Sequence, residues 1–267
     1  MPILDRFRLD GCVALVTGAS RGIGRASCLA LAEAGADIVL AARRPDLLEE
    51  AAGVVRSLGR RALAVPTDVA DPKALDALAS RALDEFGRVD VLVNNAGGTA
   101  PLVALALSDE ELDAAFRFNV TSGFRLARTL APHMKRGGRG AIVNISSAMS
   151  HLVDSGFVAY GTAKAAVDHM TRLLAYEWAP HVRVNAIAAG ATLTDALEAV
   201  AGMDELRQRM VERHPMARLG TPEDVAAAVL YLATPASAWV TGKVFEIDGG
   251  AVASTWPMRI PSGLDDL

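Results

Sequence analysis

Val13-Ala14-Leu15-Val16-Thr17-Gly18-Ala19-Ser20-Arg21-Gly22-Ile23-Gly24 is a short apolar run that breaks into a glycine-rich turn, and a helical pattern follows it to Ala34. Strand, turn and helix in that order form the setting a phosphate-binding loop needs. Glycine lets the backbone approach a pyrophosphate closely, and the helix N-terminus offers unpaired N–H groups at the positive end of its dipole. Gly18, Gly22 and Gly24 are spaced G-x-x-x-G-x-G, unlike the G-x-G-x-x-G of other dinucleotide folds.

The same alternation runs on through the chain. Ile38 to Ala41 reads as a second strand, and Pro45 to Leu58 as a helix with apolar Leu48, Ala51, Val55 and Leu58 on one face. Ala62 to Val65 is a third strand that leads to Asp68 and Val69, Pro72 to Phe86 a helix, and Val89 to Val93 a fourth strand ending in Asn94-Asn95-Ala96-Gly97. Ser108 followed by Glu111 is a capping box that opens another helix. Ala141 to Ile145, Val182 to Ile187 and Val244 to Ile247 complete seven strands. Strands apolar throughout, separated by helices, predict an α/β fold: a doubly wound parallel sheet with helices on both faces. Ligands of such sheets lie beyond the strand C-termini, and the polar clusters Thr17 to Gly24, Asp68, Asn94, Ser147 and Gly190 to Thr194 fall there. No Pro-, Gly- or Ser-rich linker divides the chain, so residues 1–267 are expected to form one domain, with a core over about 9–252 and a tail over 253–267.

Composition narrows the function classes. The chain is 51% hydrophobic and 22% charged, with a net charge of −4. That balance is globular and gives no basic surface for nucleic acid or an anionic membrane. Cys12 opens a strand and Cys28 sits in a helix, which makes both buried small hydrophobes and suits a reducing compartment. With neither a signal-peptide pattern nor an apolar run of spanning length, the expected location is the cytoplasm. No His/Cys/Asp spacing suggests a metal, and His151 and His214 each stand alone in sequence, as structural histidines do.

Chemistry concentrates at Ser147 and beyond. Ser146 and Ser147 end the apolar run Ala141 to Ile145, and either could present its hydroxyl there. Tyr160 and Lys164 stand four apart at the start of a long helical pattern, so their side chains share a face. An ammonium beside a phenol favours the phenolate, and Lys164 is therefore expected to lower the Tyr160 pKa. A phenol so tuned suits a general acid/base.

Together these residues resemble the short-chain dehydrogenase/reductase family in its compact single-domain branch. The motifs Thr17-Gly-x-x-x-Gly-Ile-Gly24, Asn94-Asn-Ala-Gly97, Asn119, Ser147, Tyr160-x-x-x-Lys164 and Asp248-Gly-Gly250 follow in family order, from Leu9 to about Val252. Within the family the chain is most similar to bacterial 7α-hydroxysteroid dehydrogenases, sharing Val91 to Gly98, Gly190 to Leu197 and Arg218-Leu-Gly-x-Pro222. The 3-oxoacyl-carrier-protein reductases share most of the same motifs. The resemblance implies hydride exchange with a nicotinamide cofactor. It makes Tyr160 the proton donor/acceptor, Ser147 (preferred over Ser146 by its spacing to Tyr160) the hydrogen-bond donor to the substrate oxygen, and Lys164 the residue that tunes Tyr160 and holds the ribose. It also makes Asn119 the anchor of a water that connects Lys164 to solvent. Gly18, Ser20, Arg21, Gly22, Ile23 and Gly24 would hold the pyrophosphate region, Asp68 and Val69 the adenine, and Asn95, Ala96 and Gly97 the ribose side. Gly190, Thr192 and Thr194 would sit near the nicotinamide, where Ala189 replaces the family's usual proline.

An NAD enzyme of this fold carries an acid at the end of the second strand. Here Ala42-Arg43-Arg44 stands there. Arg43, with Arg21, offers guanidinium forks for a 2′-phosphate, so NADP(H) is expected over NAD(H). Leu102, Val103, Met149, Leu152, Val153, Phe157 and Leu197 are expected to give the substrate pocket an apolar lining suited to a hydrophobic ketone or secondary alcohol, with a steroid-like substrate as one candidate. Reduction of a 3-oxoacyl thioester is the alternative within enzymes, and a catalytically silent NADP-binding regulator the alternative outside them. Family habit further implies a homotetramer, with the tail after Gly250 packed on a neighbouring subunit.

Overall fold

A computed structural model describes residues 2–195, 197, 202–258 and 260–262. Seven parallel strands form one sheet in the order β3-β2-β1-β4-β5-β6-β7. They are β1 (Val13–Thr17), β2 (Asp37–Ala42), β3 (Ala62–Pro66), β4 (Val91–Asn94), β5 (Ala141–Ser147), β6 (Arg183–Ala189) and β7 (Val244–Ile247). The helices among the described residues are α1 (Gly22–Glu33), α2 (Pro45–Ser57), α3 (Pro72–Phe86), α4 (Asp109–Phe116), α5 (Ser122–Gly137), α6 (Val158–Trp178), α7 (Asp204–Glu212) and α8 (Pro222–Ala233).

The expected doubly wound α/β architecture is present, and alternation along the strands explains its two cores. Ala14, Val16, Ile38, Leu40, Val91 and Val93 face Cys28 and Leu31 of α1, Leu48 and Val55 of α2, and Val225 and Val229 of α8. Their neighbours Val13, Leu15, Val39 and Leu92 face Leu78 of α3, Leu126, Leu130 and Met134 of α5, and Leu174 of α6. Both sides of β1 are therefore dry. Both cysteines are buried and free.

Element ends follow local chemistry. Asp71 caps α3 by accepting from Lys73 N, and Gly87 closes it at φ 72. Ser108 and Glu111 form both halves of the capping box that opens α4. The fourth strand starts at Val91, later than its apolar run suggests, and Asp90 just before it bonds both neighbouring strands through its backbone, to Val13 O and from Ala141 N, while its side chain serves another purpose. Its buried carboxylate accepts from Val13 N at 2.9 Å and from the Arg88 guanidinium at 2.5 and 2.8 Å. That ties the start of β4 to the start of β1. Among the described residues no helix is long and apolar enough to cross a membrane.

The strand order reverses at β1, with β2 on one side and β4 on the other. The two halves of the sheet therefore splay apart beyond the C-terminal ends of β1 and β4, and a crevice opens there.

Candidate active site

The glycine loop builds part of this crevice from bare backbone. Gly18 turns at φ 66 and Gly22 at φ 52. A Cβ on Gly18 would stand 2.6 Å from Asn95 Nδ2, and one on Gly24 2.2 Å from the Gly18 carbonyl oxygen. The N-cap of α1, Arg21, places no side-chain bond on the helix N–H groups, which leaves them for an anion. Below, Thr17 seams the two halves of the sheet. Its hydroxyl accepts from Asn95 N and Ala96 N at 3.0 Å each, and Asn95 Nδ2 returns a bond to Thr17 O at 2.9 Å.

The crevice holds about 700 Å³. Gly18, Ser20, Arg21, Gly22, Ile23 and Arg43 line it, together with Asp68 and Val69. Asn95, Ala96, Gly97, Ser147, Tyr160, Lys164, Gly190, Thr192 and Thr194 line it as well. Two expected site residues stand outside this lining: Gly24, which supports Gly18 from beneath, and Asn119. A backbone cradle that a Cβ on Gly18 would fill, an uncapped helix end and a crevice of about 700 Å³ fit a dinucleotide.

Asn119 lies in a π-helical turn (Arg117–Thr121) between α4 and α5, a local widening that often marks a functional position. Its Oδ1 accepts from Gly98 N at 2.8 Å, and its Nδ2 donates to Ala115 O at 2.9 Å and Gly98 O at 3.2 Å. The amide thus moors the Gly97–Gly98 segment. A Cβ on Gly97 would meet both Asn119 Oδ1, at 2.8 Å, and Lys164 Nζ, at 3.0 Å. The two side chains close on this glycine from both sides.

The structure separates the two candidate serines. Both line the crevice, but the Ser146 hydroxyl donates to Lys164 O at 3.3 Å and is committed to α6, whereas the Ser147 hydroxyl accepts from Met149 N at 3.2 Å. Lys164 is 3% exposed, and its ammonium donates to Ile145 O at 2.8 Å. It stands 5.7 Å from the Tyr160 ring centre.

The expected depression of the Tyr160 pKa is corrected here. Burial dominates and raises the phenol above its ordinary value, opposed only by hydrogen bonding from the Ser147 side chain. Lys164 feels the same desolvation, which lowers it from 10.5 to about 8, with the Asp168 charge pulling the other way. Lys164 therefore binds its proton less tightly folded than unfolded, and its contribution to stability rises with pH between about 8 and its unfolded value. We predict that the wild type gains up to about 1.4 kcal/mol per pH unit over Lys164→Met between pH 8 and 9.5. Urea midpoints of the two proteins across that window test this, and parallel curves would refute it.

At the crevice mouth, Arg21 Nη1 reaches Asp195 Oδ2 at 2.8 Å, and this pairing holds the Asp195 carboxyl below its usual range. The bridge joins the glycine loop to the segment after β6. A Cβ on Gly22 would likewise stand 3.1 Å from Thr194 Cγ2. Nothing in the sequence signals this bridge, because its partners lie 174 residues apart. Arg43, at the end of β2, is exposed and carries no ion pair among the described residues.

The substrate side departs from expectation. Of the seven apolar residues expected there, Leu197 lines the crevice; Leu102, Val103, Met149, Leu152 and Phe157 stand outside its lining, and Val153 is 88% exposed. Phe157 stands beside Tyr160, ring centres 6.5 Å apart, and takes Trp256 edge-on at 5.4 Å. Ser155 Oγ also donates to Ile260 O. The described part of the tail thus folds back on its own chain, with Trp256 against Phe157. His214 is buried with Nδ1 2.7 Å from Met210 O, as a structural histidine is.

Comparison with known proteins agrees with this geometry. A family model described as enoyl-(acyl carrier protein) reductase matches residues 18–252. An oxidoreductase of Mycobacterium tuberculosis is 48% identical, over 97% of this chain and 99% of its own. The 7α-hydroxysteroid dehydrogenase of Escherichia coli K12 is 38% identical, over 93% and 97%. A solved 7α-hydroxysteroid dehydrogenase, complexed with NADH and 7-oxo glycochenodeoxycholic acid, superposes with a TM-score of 0.91 at 37% identity, covering 94% of this chain and 98% of that one. With its glycine cradle, its crevice at the strand reversal and relatives matching end to end, this chain belongs to the short-chain dehydrogenase/reductase family of oxidoreductases.

Proposed function

We propose that the protein is an NADP(H)-dependent carbonyl reductase or secondary-alcohol dehydrogenase acting on a hydrophobic, steroid-like substrate. The observation that carries this reading is the convergence of Ser147, Tyr160 and Lys164 on one crevice that the glycine cradle also lines. When bound, a nicotinamide cofactor supplies or accepts the hydride. Gly18 to Gly24 and the α1 N-terminus hold its phosphates, and Lys164 its ribose. Tyr160 exchanges a proton with the substrate oxygen. Ser147 donates to that same oxygen as charge develops on it.

Two features support NADP(H). Ala42-Arg43-Arg44 offers no acid to bond a ribose 2′-hydroxyl, and Arg43 is unpaired among the described residues. A 2′-phosphate would also draw Arg21 away from Asp195, trading an exposed ion pair worth under about 1 kcal/mol for a doubly charged ligand. Arg43→Ala should therefore weaken NADPH roughly tenfold while leaving NADH within about twofold, an order of magnitude set by one charge-assisted contact. Nucleotide fluorescence titrations measure both, and equal losses for the two nucleotides would remove the 2′-phosphate assignment. Oxidation of the preferred nucleotide against steroid ketones and 3-oxoacyl thioesters then decides the substrate class. Turnover with thioesters alone would replace the steroid-like reading, and tight binding without turnover would make the protein a regulator.

A further inference from the structure

We propose that His151, Glu246 and Asp248 bind one first-row divalent cation of the zinc class, at a site separate from the cofactor crevice. Each offers a donor atom, and the three donors lie within 4.8 Å of one another. No pattern in the sequence announces them, because His151 follows the short helix after β5 whereas the acids come from the end of β7.

The chemistry of each donor points the same way. Asp248 is 9% exposed, its Oδ1 accepts from Gly250 N at 2.9 Å, and its Oδ2 is buried with no hydrogen-bond partner among the described residues. A buried carboxylate oxygen without a partner carries a desolvation cost that a cation would relieve. Glu246 lies on β7 and Asp248 in the bend just past its end, and the bend brings a carboxylate oxygen of each within 4.8 Å of the other. Two carboxylates side by side repel one another unless a positive charge joins them. His151 completes the set. Its Nδ1 lies 3.3 Å from Ser150 Oγ, and its Nε2 lies 3.9 Å from Glu246 Oε1. A ring held through one nitrogen and offering the other is the arrangement that metal-binding histidines use.

Distances decide that the site is within reach. Bonds of about 2.1 Å in a tetrahedral site place ligand atoms roughly 3.4 Å apart. The donors here must close by about an ångström, and the exposed side chains of His151 and Glu246 can rotate that far while Asp248 stays fixed. One imidazole and two carboxylates favour zinc or a neighbouring first-row dication over magnesium or calcium. The cation would tie the segment following Ser147 to Asp248, whose Cα would lie 2.5 Å from a Cβ on Gly190. Its role is structural: it braces two walls of the crevice without entering it.

Calorimetric titration of chelator-stripped full-length protein with zinc chloride tests the site. One equivalent per chain is expected, with a higher melting temperature in zinc and at least a tenfold loss of affinity in both His151→Ala and Glu246→Gln. Both substitutions fall on exposed side chains, and far-UV circular dichroism verifies that the variants fold. Absent zinc binding would overturn the proposal, as would zinc binding that both variants retain, which marks adventitious coordination. Binding of calcium or magnesium in preference to zinc would overturn the assigned cation class.

Discussion

Tyr160→Phe is expected to lower kcat by about 10²- to 10⁴-fold, the range that one general acid/base contributes, while the dissociation constant of the nicotinamide nucleotide stays within about threefold. The phenol oxygen is the only atom removed, and the ring keeps its place beside Phe157. Ser147 keeps its own bond from Met149 N, so the loss reports on the phenol. Turnover is read by nucleotide absorbance and binding by fluorescence. If the variant keeps more than a few per cent of wild-type activity, Tyr160 does not carry the proton. Burial raises this phenol above its ordinary value, so its proton is held at neutral pH.

Gly24→Ala should be the most damaging single methyl in the molecule. The new Cβ would lie 2.2 Å from Gly18 O, 2.8 Å from Gly18 C and 2.5 Å from Asn95 Nδ2. Two of these atoms are backbone of the phosphate loop, so relief comes only by displacing the loop itself. Overpacking of this kind costs about 1–3 kcal/mol, and the displaced cradle should lose more than tenfold in nucleotide affinity. Gly53→Ala is the control: it sits in α2 with nothing within 4 Å of the added methyl, where alanine should stabilise by about 0.5–1 kcal/mol. Denaturant midpoints and nucleotide titrations compare the pair. Equal stability of the two variants would mean that the loop is softer than its contacts imply.

Most of the fold could be read before any coordinate, because alternation and capping are local. Pro72–Phe86 and Val244–Ile247 match their expected spans residue for residue, and the capping box at Ser108 is complete. The glycine loop and the Tyr160–Lys164 pair were legible for the same reason. What escaped depends on tertiary neighbours. Val153 reads as one more apolar residue near Phe157, yet it faces solvent. The Tyr160 pKa was expected to fall, because a four-residue spacing shows the cation but not the desolvation that outweighs it. Arg21 and Asp195, or Phe157 and Trp256, meet only once distant segments have folded together.

The Thr17–Asn95 seam joins segments 78 residues apart, and the crevice exists only while that seam is closed. A ligand that spans the crevice touches both halves and binds neither half alone. At a free concentration one hundred times its dissociation constant, it would add about 2.7 kcal/mol to global stability. That is a sizeable share of the total for a chain with ordinary, marginal stability. A copy holding such a ligand would then open, and expose its backbone to a protease, less often than an empty one.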